Sequence, residues 1–129
     1  MTPLDKVRAL YTDNSPRTFA EDLTAHMQCG YVFSTPEYLL MVRPVWSKAP
    51  QEHINDVWMA FPPQLWDAWY VYAFALRDDG GLQGLVKNLL THMPFYLPLV
   101  AWERSGDTLS FFSTDKLFHK YAKLHTFTH

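Results

Sequence analysis

The spacing of apolar residues changes period several times along the chain, and each change marks an element. Over residues 1–12, Leu4, Val7, Ala9, Leu10 and Tyr11 fit a short helix, which Asp13-Asn14-Ser15-Pro16 stops. Phe19, Leu23, His26 and Met27 then recur at helical spacing as far as Gly30. Ser15 or Thr18 serves as the cap, and Glu21 and Asp22 put negative charge in the first turn. Residues 31–34 and 38–43 are β-rich, and the gap Thr35-Pro36-Glu37 leaves room only for a hairpin, so they form an antiparallel pair that Pro44 ends. Between 51 and 66 the pattern is ambiguous. Ile54, Val57, Trp58 and Phe61 suit a short helix over the sheet, and Pro62-Pro63 breaks it.

The second half is better marked. An aromatic run over 69–76 reads as a central strand, Arg77-Asp78-Asp79-Gly80-Gly81 as a turn, and 82–90 as a helix with Leu82, Leu85, Val86 and Leu89 on one face, closed by Pro94. Residues 96–104 form the next strand. Ser105-Gly106-Asp107 turns the chain back into a strand over 109–113, and a last helix, capped by Ser113 or Thr114, carries Leu117, Phe118 and Tyr121. Strand, turn, helix and strand over 69–102 make a β-α-β crossover with parallel strands. The expected fold class is α/β (α+β), a single domain over 1–129 with a mixed sheet and its core at about 18–121.

Composition narrows the classes of function. The 129 residues are 48% hydrophobic, enough for one core. A net charge of −2 with scattered Lys and Arg gives no basic stripe, so nucleic acid is not an expected partner. The apolar runs fall short of the roughly 20 residues of a membrane span, and the amino terminus has no signal-like apolar region. No membrane association and a cytoplasmic or virion-associated location are the expectation. Aromatic residues reach 16%, which suits either a packed sheet or an exposed partner-binding patch, with Trp46, Trp58, Trp66, Trp69 and Trp102 as candidates to line a groove.

Few residues suggest chemistry. Arg77, Gly80, Gly81 and Gly84 make a cradle for an anionic ligand, although a strand-to-helix turn accounts for the same letters. His26 and Cys29 lie three apart, with Asp22 a turn earlier. Two ligands do not hold zinc, so no metal site is expected, and Cys29 reads as a small buried hydrophobe. Arg43, a charge within an apolar strand, needs a partner, and Glu37, Asp67 or Glu103 across the sheet would supply it.

The order of elements over about 18–121 resembles the middle and end of the GNAT (Gcn5-related N-acetyltransferase) fold, an acyl-CoA N-acyltransferase topology. That family carries a loop of the form Gln/Arg-x-x-Gly-x-Gly/Ala for the cofactor's pyrophosphate, and Arg77 and Gly80 match it. Leu82 stands where the second small residue belongs, and Asp78 and Asp79 add negative charge beside it. Shorter segments are similar to tailed-phage and prophage proteins of the internal virion protein A, acetyltransferase-like type: Gly30 through Tyr38, Arg43-Pro44-Val45, Trp69-Tyr70-Val71, Leu97 through Arg104, Phe111-Phe112 and Leu117.

The resemblance implies a phage- or prophage-derived accessory or virion-like protein. It would act by binding a protein partner or by self-association, with no cofactor. The alternative it implies is an acyl-CoA-dependent N-acetyltransferase, with Arg77, Gly80 and Gly81 binding acetyl-CoA, Glu103 as general base and Tyr121 returning a proton to the thiolate. A third possibility is an aromatic-rich module that self-associates through an edge strand such as 109–113.

Overall fold

The computed structural model describes residues 1–78, 80–104 and 108–121. One five-stranded sheet runs in chain order: β1 (Tyr31–Ser34), β2 (Tyr38–Val45), β3 (Ala68–Leu76), β4 (Leu99–Glu103) and β5 (Leu109–Ser113). All neighbours are antiparallel except β3 and β4, which are parallel and joined by helix α4 (Gly81–His92). The crossover read from 69–102 is therefore present. Asp79 and residues 105–107, where a turn is expected, lie outside the described residues.

Helices cover both faces. On one, Leu40, Val42, Trp69, Val71 and Val100 pack against Leu85, Val86 and Leu89 of α4 and Leu117 of α5 (Thr114–Tyr121). On the other, Leu39 and Met41 meet Val7 of α1 (Pro3–Arg8) and Phe19 of α2 (Phe19–Cys29), and Val45, Ala68, Tyr70 and Ala101 meet Ile54 of α3 (Gln51–Asn55). Alternation along each strand sends successive side chains to these two layers, which is why strands as apolar as β2 and β3 are buried on both sides.

Local chemistry sets the helix ends. Thr18 and Glu21 form a reciprocal capping box at the start of α2, and Thr2 and Asp5 do the same for α1. The expected helix over 1–12 is shorter, ending at Arg8. Ser113 caps the last helix through the Lys116 N–H, while Thr114 turns its hydroxyl to the Leu97 carbonyl. Gly30 ends α2 where the helix meets β2. A Cβ there would sit 2.4 Å from the Val42 carbonyl oxygen and 2.6 Å from Arg43 Cβ, so the close approach requires glycine.

Several expectations need correction. Strand β2 does not stop before Pro44 but continues through it to Val45, pairing Pro44 with Trp69. Pairing with β1 ends at Val42, so proline's missing N–H costs no ladder bond on that side. Leu82 is not on the buried face of α4, being 41% exposed. Strand β4 starts at Leu99 rather than at 96, and Tyr96 is exposed. The tryptophans do not line one groove: Trp69 is fully buried, Trp66 stacks on Phe95, Trp102 stacks on Phe112 and Trp58 is exposed.

Arg43 is fully buried but meets none of the three carboxylates proposed for it. Its guanidinium donates to the main-chain carbonyls of Met59 (2.8 Å) and Ile54, and lies 5.5 Å above the Tyr70 ring. Asp67 instead accepts from the Ser47 amide and hydroxyl. The segment after α3 is thus fastened to the sheet by a cation that bonds backbone.

Candidate functional site

Parallel strands β3 and β4 pair only from Ala68 and Leu99 to Val71 and Trp102. Beyond that point β4 ends and β3 runs on to Leu76, so the two strands part. A bulge marks the same place. Met41 pairs with Ala73 and Val42 with Val71, leaving Tyr72 as the extra residue on β3. The side-chain phase shifts there: Tyr72 and the next residue, Ala73, both pack on the α1/α2 side, and Phe74 returns to the α4 side.

The parting opens a cavity of about 900 Å³. Its walls include β3 from Val71 to Leu76, Leu85 of α4, Trp102, Glu103 and Arg104 at the end of β4, and Lys6, Val7 and Leu10 from the amino-terminal segment. Gly80, Gly81 and Leu82 form its mouth. The Arg77 N–H donates to the Glu37 carbonyl at 2.7 Å, so Arg77 faces β2. By the alternation of an antiparallel pair, Phe74 and Leu76 turn their main-chain groups the other way, into the cleft. The start of α4 at Gly80 and Gly81 belongs to this lining, so the positive end of the helix dipole adjoins the cavity.

A second, smaller cavity of about 280 Å³ lies on the α1/α2 side. Val7, Leu10, Tyr72, Ala73 and Glu103 line both. The larger cleft and the smaller pocket therefore adjoin at the bulge, with Glu103 in both walls.

The smaller pocket is built around Asp22, which is buried. Its carboxylate accepts from the Tyr11 hydroxyl (2.5 Å), the Tyr72 hydroxyl and Arg17 Nε (2.7 Å). Burial alone would raise its pKa, but these three donors hold it below the usual carboxylate value. Burial first, and then the bond to Asp22, push Tyr11 and Tyr72 upward. Tyr70 is pushed up to about 12, by burial and then by the nearby Glu103 charge. Behind Tyr72, the His26 ring lies 4.5 Å away, with Nδ1 bonded to the Asp22 carbonyl at 2.9 Å.

The residues named from sequence divide between these places. Gly80, Gly81 and Glu103 share the cleft wall. Arg77 is exposed and outside it, its backbone engaged with Glu37 and Lys6. Tyr121 packs against the core at the end of α5 and lines neither cavity. A Cβ at Gly80 or Gly84 would lie 2.5 or 2.4 Å from Leu76 Cδ1, the tip of a side chain that can turn aside, so packing favours glycine there without requiring it. Gly81 has φ of 57°, the left-handed region that favours glycine. Cys29 is half-buried, with Sγ 3.9 Å from the Trp58 carbonyl oxygen, and does not join His26 in a ligand set.

Sequence reasoning missed Lys6, Tyr72 and the Asp22 cluster as parts of the site. Asp22 was legible as a first-turn acid and Tyr72 as a strand aromatic. The bulge that gives Tyr72 its place leaves no local signal.

No family model matches the chain, and neither a curated protein nor a solved structure matches it.

Proposed function

We propose that the chain is a GNAT-like acyltransferase whose cleft between β3 and β4 takes an acyl-CoA-type thioester and whose smaller pocket takes the acyl acceptor. The observation that carries this reading is the junction of the two cavities at the bulge, with Glu103 in both walls. The chain's own groups fit such a ligand in three respects. Phe74 and Leu76 offer a strand edge to an extended amide-bearing chain. Apolar Val71, Leu85 and Trp102 line the cleft, and Lys6 and Arg104 bring positive charge to a wall that the start of α4 completes. Asp78, exposed beside the turn, weakens the fit for phosphate.

A bound acyl-CoA would supply the thioester carbonyl that the acceptor attacks. Glu103 takes the proton from the acceptor as the new bond forms, and that proton leaves with the departing thiol, so charge balances without Tyr121. Tyr72, held by Asp22, fixes the wall between acceptor and donor.

Acetyl-CoA well above its dissociation constant is expected to raise the melting temperature by several degrees. Glu103→Gln should keep that shift while slowing acyl transfer about a hundredfold or more. An unchanged melt at millimolar acetyl-CoA would sink the reading.

A second reading, a phage- or prophage-derived accessory protein acting through protein contacts, draws support from the edge strand β5. Phe111 on that strand and Phe118 on the adjoining helix are 36% and 43% exposed.

A further inference from the structure

Lys6 makes a long-range side-chain contact at the cleft. From α1 its ammonium reaches the far end of β3, donating to the carbonyls of Leu76 (2.5 Å) and Arg77 (2.7 Å). The Arg77 N–H is turned toward β2, so the Leu76 carbonyl, trans to it in the same peptide, faces the open side of β3, where β4 no longer runs. In a continuous parallel sheet, a neighbouring strand would donate an amide to that carbonyl. Here a lysine side chain stands in for it.

We propose that Lys6 is a latch on the cleft. Its ammonium holds the main-chain acceptor that an amide-bearing ligand would pair with, so such a ligand seats fully along β3 only when Lys6 lets go. The proposal rests on the reading of the cleft as a site for a pantetheine-bearing thioester, and goes beyond it by assigning control of entry to α1. That helix is a suitable strap. It is six residues long and is anchored on this side by the buried Val7 and by Lys6 itself. A role as a simple structural tie makes a different forecast, because a tie lost from the cleft wall would leave ligand affinity equal or weaker.

The test uses pantetheine, which carries the amides but no nucleotide phosphates, titrated calorimetrically into the wild-type chain, Lys6→Met and Lys6→Arg. Removing a charge-assisted competitor is expected to tighten pantetheine about tenfold in K6M, while K6R, which keeps the donors, stays near wild type. No gain in K6M, including no measurable binding to either chain, overturns the latch. A parallel titration with coenzyme A separates the two ideas. If coenzyme A binds but K6M gives pantetheine no gain, only the latch falls, and if neither ligand binds any chain, both fall. The unsubstituted protein offers a check that does not depend on K6M folding. Acylation of the Lys6 amine by an anhydride reagent, followed by mass spectrometry, should quicken several-fold with coenzyme A bound, and an unchanged or slower rate overturns the latch.

Discussion

At the scale of single residues, the site depends on a carboxylate that lines the acceptor pocket and is engaged by the protein's own donors. Asp22 gathers three donors, Tyr11 and Arg17 from the α1–α2 connection and Tyr72 from β3, onto one side chain of α2. Asparagine there keeps the shape but replaces an anionic oxygen with a donor, and leaves short of an acceptor either Arg17, which bonds one oxygen, or the two tyrosine hydroxyls, which share the other. Arg17 retains some solvent access, which moderates the loss, so Asp22→Asn is expected to cost about 2–3 kcal/mol in urea unfolding. A variant within a few tenths of wild type would show the cluster to be dispensable. Little of this was readable in advance. The helix and its first-turn acids follow from composition and spacing, but a carboxylate's partners 5, 11 and 50 residues away are set by packing. Lys6, whose acceptors lie 70 and 71 residues on, was invisible for the same reason.

At the scale of elements, period and punctuation were informative wherever an element's limits are local. The hairpin of β1 and β2, the helix at Gly81–His92 and the return of β5 along β4 follow from alternation, helical spacing and turn residues. Limits set by neighbours were not legible. Pro44 looked like a stop because a proline usually removes a ladder bond, yet it lies past the end of β1. Tyr96 looked like strand because it is aromatic, and β4 begins only where pairing with β3 becomes available. The shortness of β4 against β3 is what makes the cleft, and only the relative lengths of two partners reveal it. Strand β5 has the complementary property: among the described residues no strand lies beside its outer edge, and Phe111 on it is exposed. If it joins copies or a partner by sheet extension, mass from light scattering should rise with concentration and fall back to the monomer in Phe111→Lys. A mass that stays monomeric over the full range counts against the contact-based reading.

For the molecule as a whole, buried titratable groups set the response to acid. His26 is fully buried, donates Nδ1–H to a carbonyl, and has its pKa lowered from 6.5 to about 4, chiefly by burial. On acidification the unfolded chain takes up this proton first and the native chain resists it. The contribution is therefore complete above about pH 6.5, declines as pH falls, and is gone once pH passes through about 4. The difference corresponds to something on the order of 3 kcal/mol. Urea titrations at pH 7, 5 and 4 should show that decline in the wild type and a much flatter line in His26→Leu. Equal slopes would assign the acid lability elsewhere. Below that window the Asp22 carboxylate, whose pKa is lowered, begins to protonate and withdraws its own contribution.

Arg43 behaves differently under the same changes. Its hydrogen-bond partners are peptide carbonyls, which neither titrate nor carry a net charge. Among the described residues no carboxylate pairs with it directly, and the Asp56 charge acts on it only through space, so acid and added electrolyte loosen it less than they would an ion pair. The Ile54 and Met59 fastening thus keeps its grip under conditions that release an ordinary salt bridge, and it gives way only when water reaches the guanidinium.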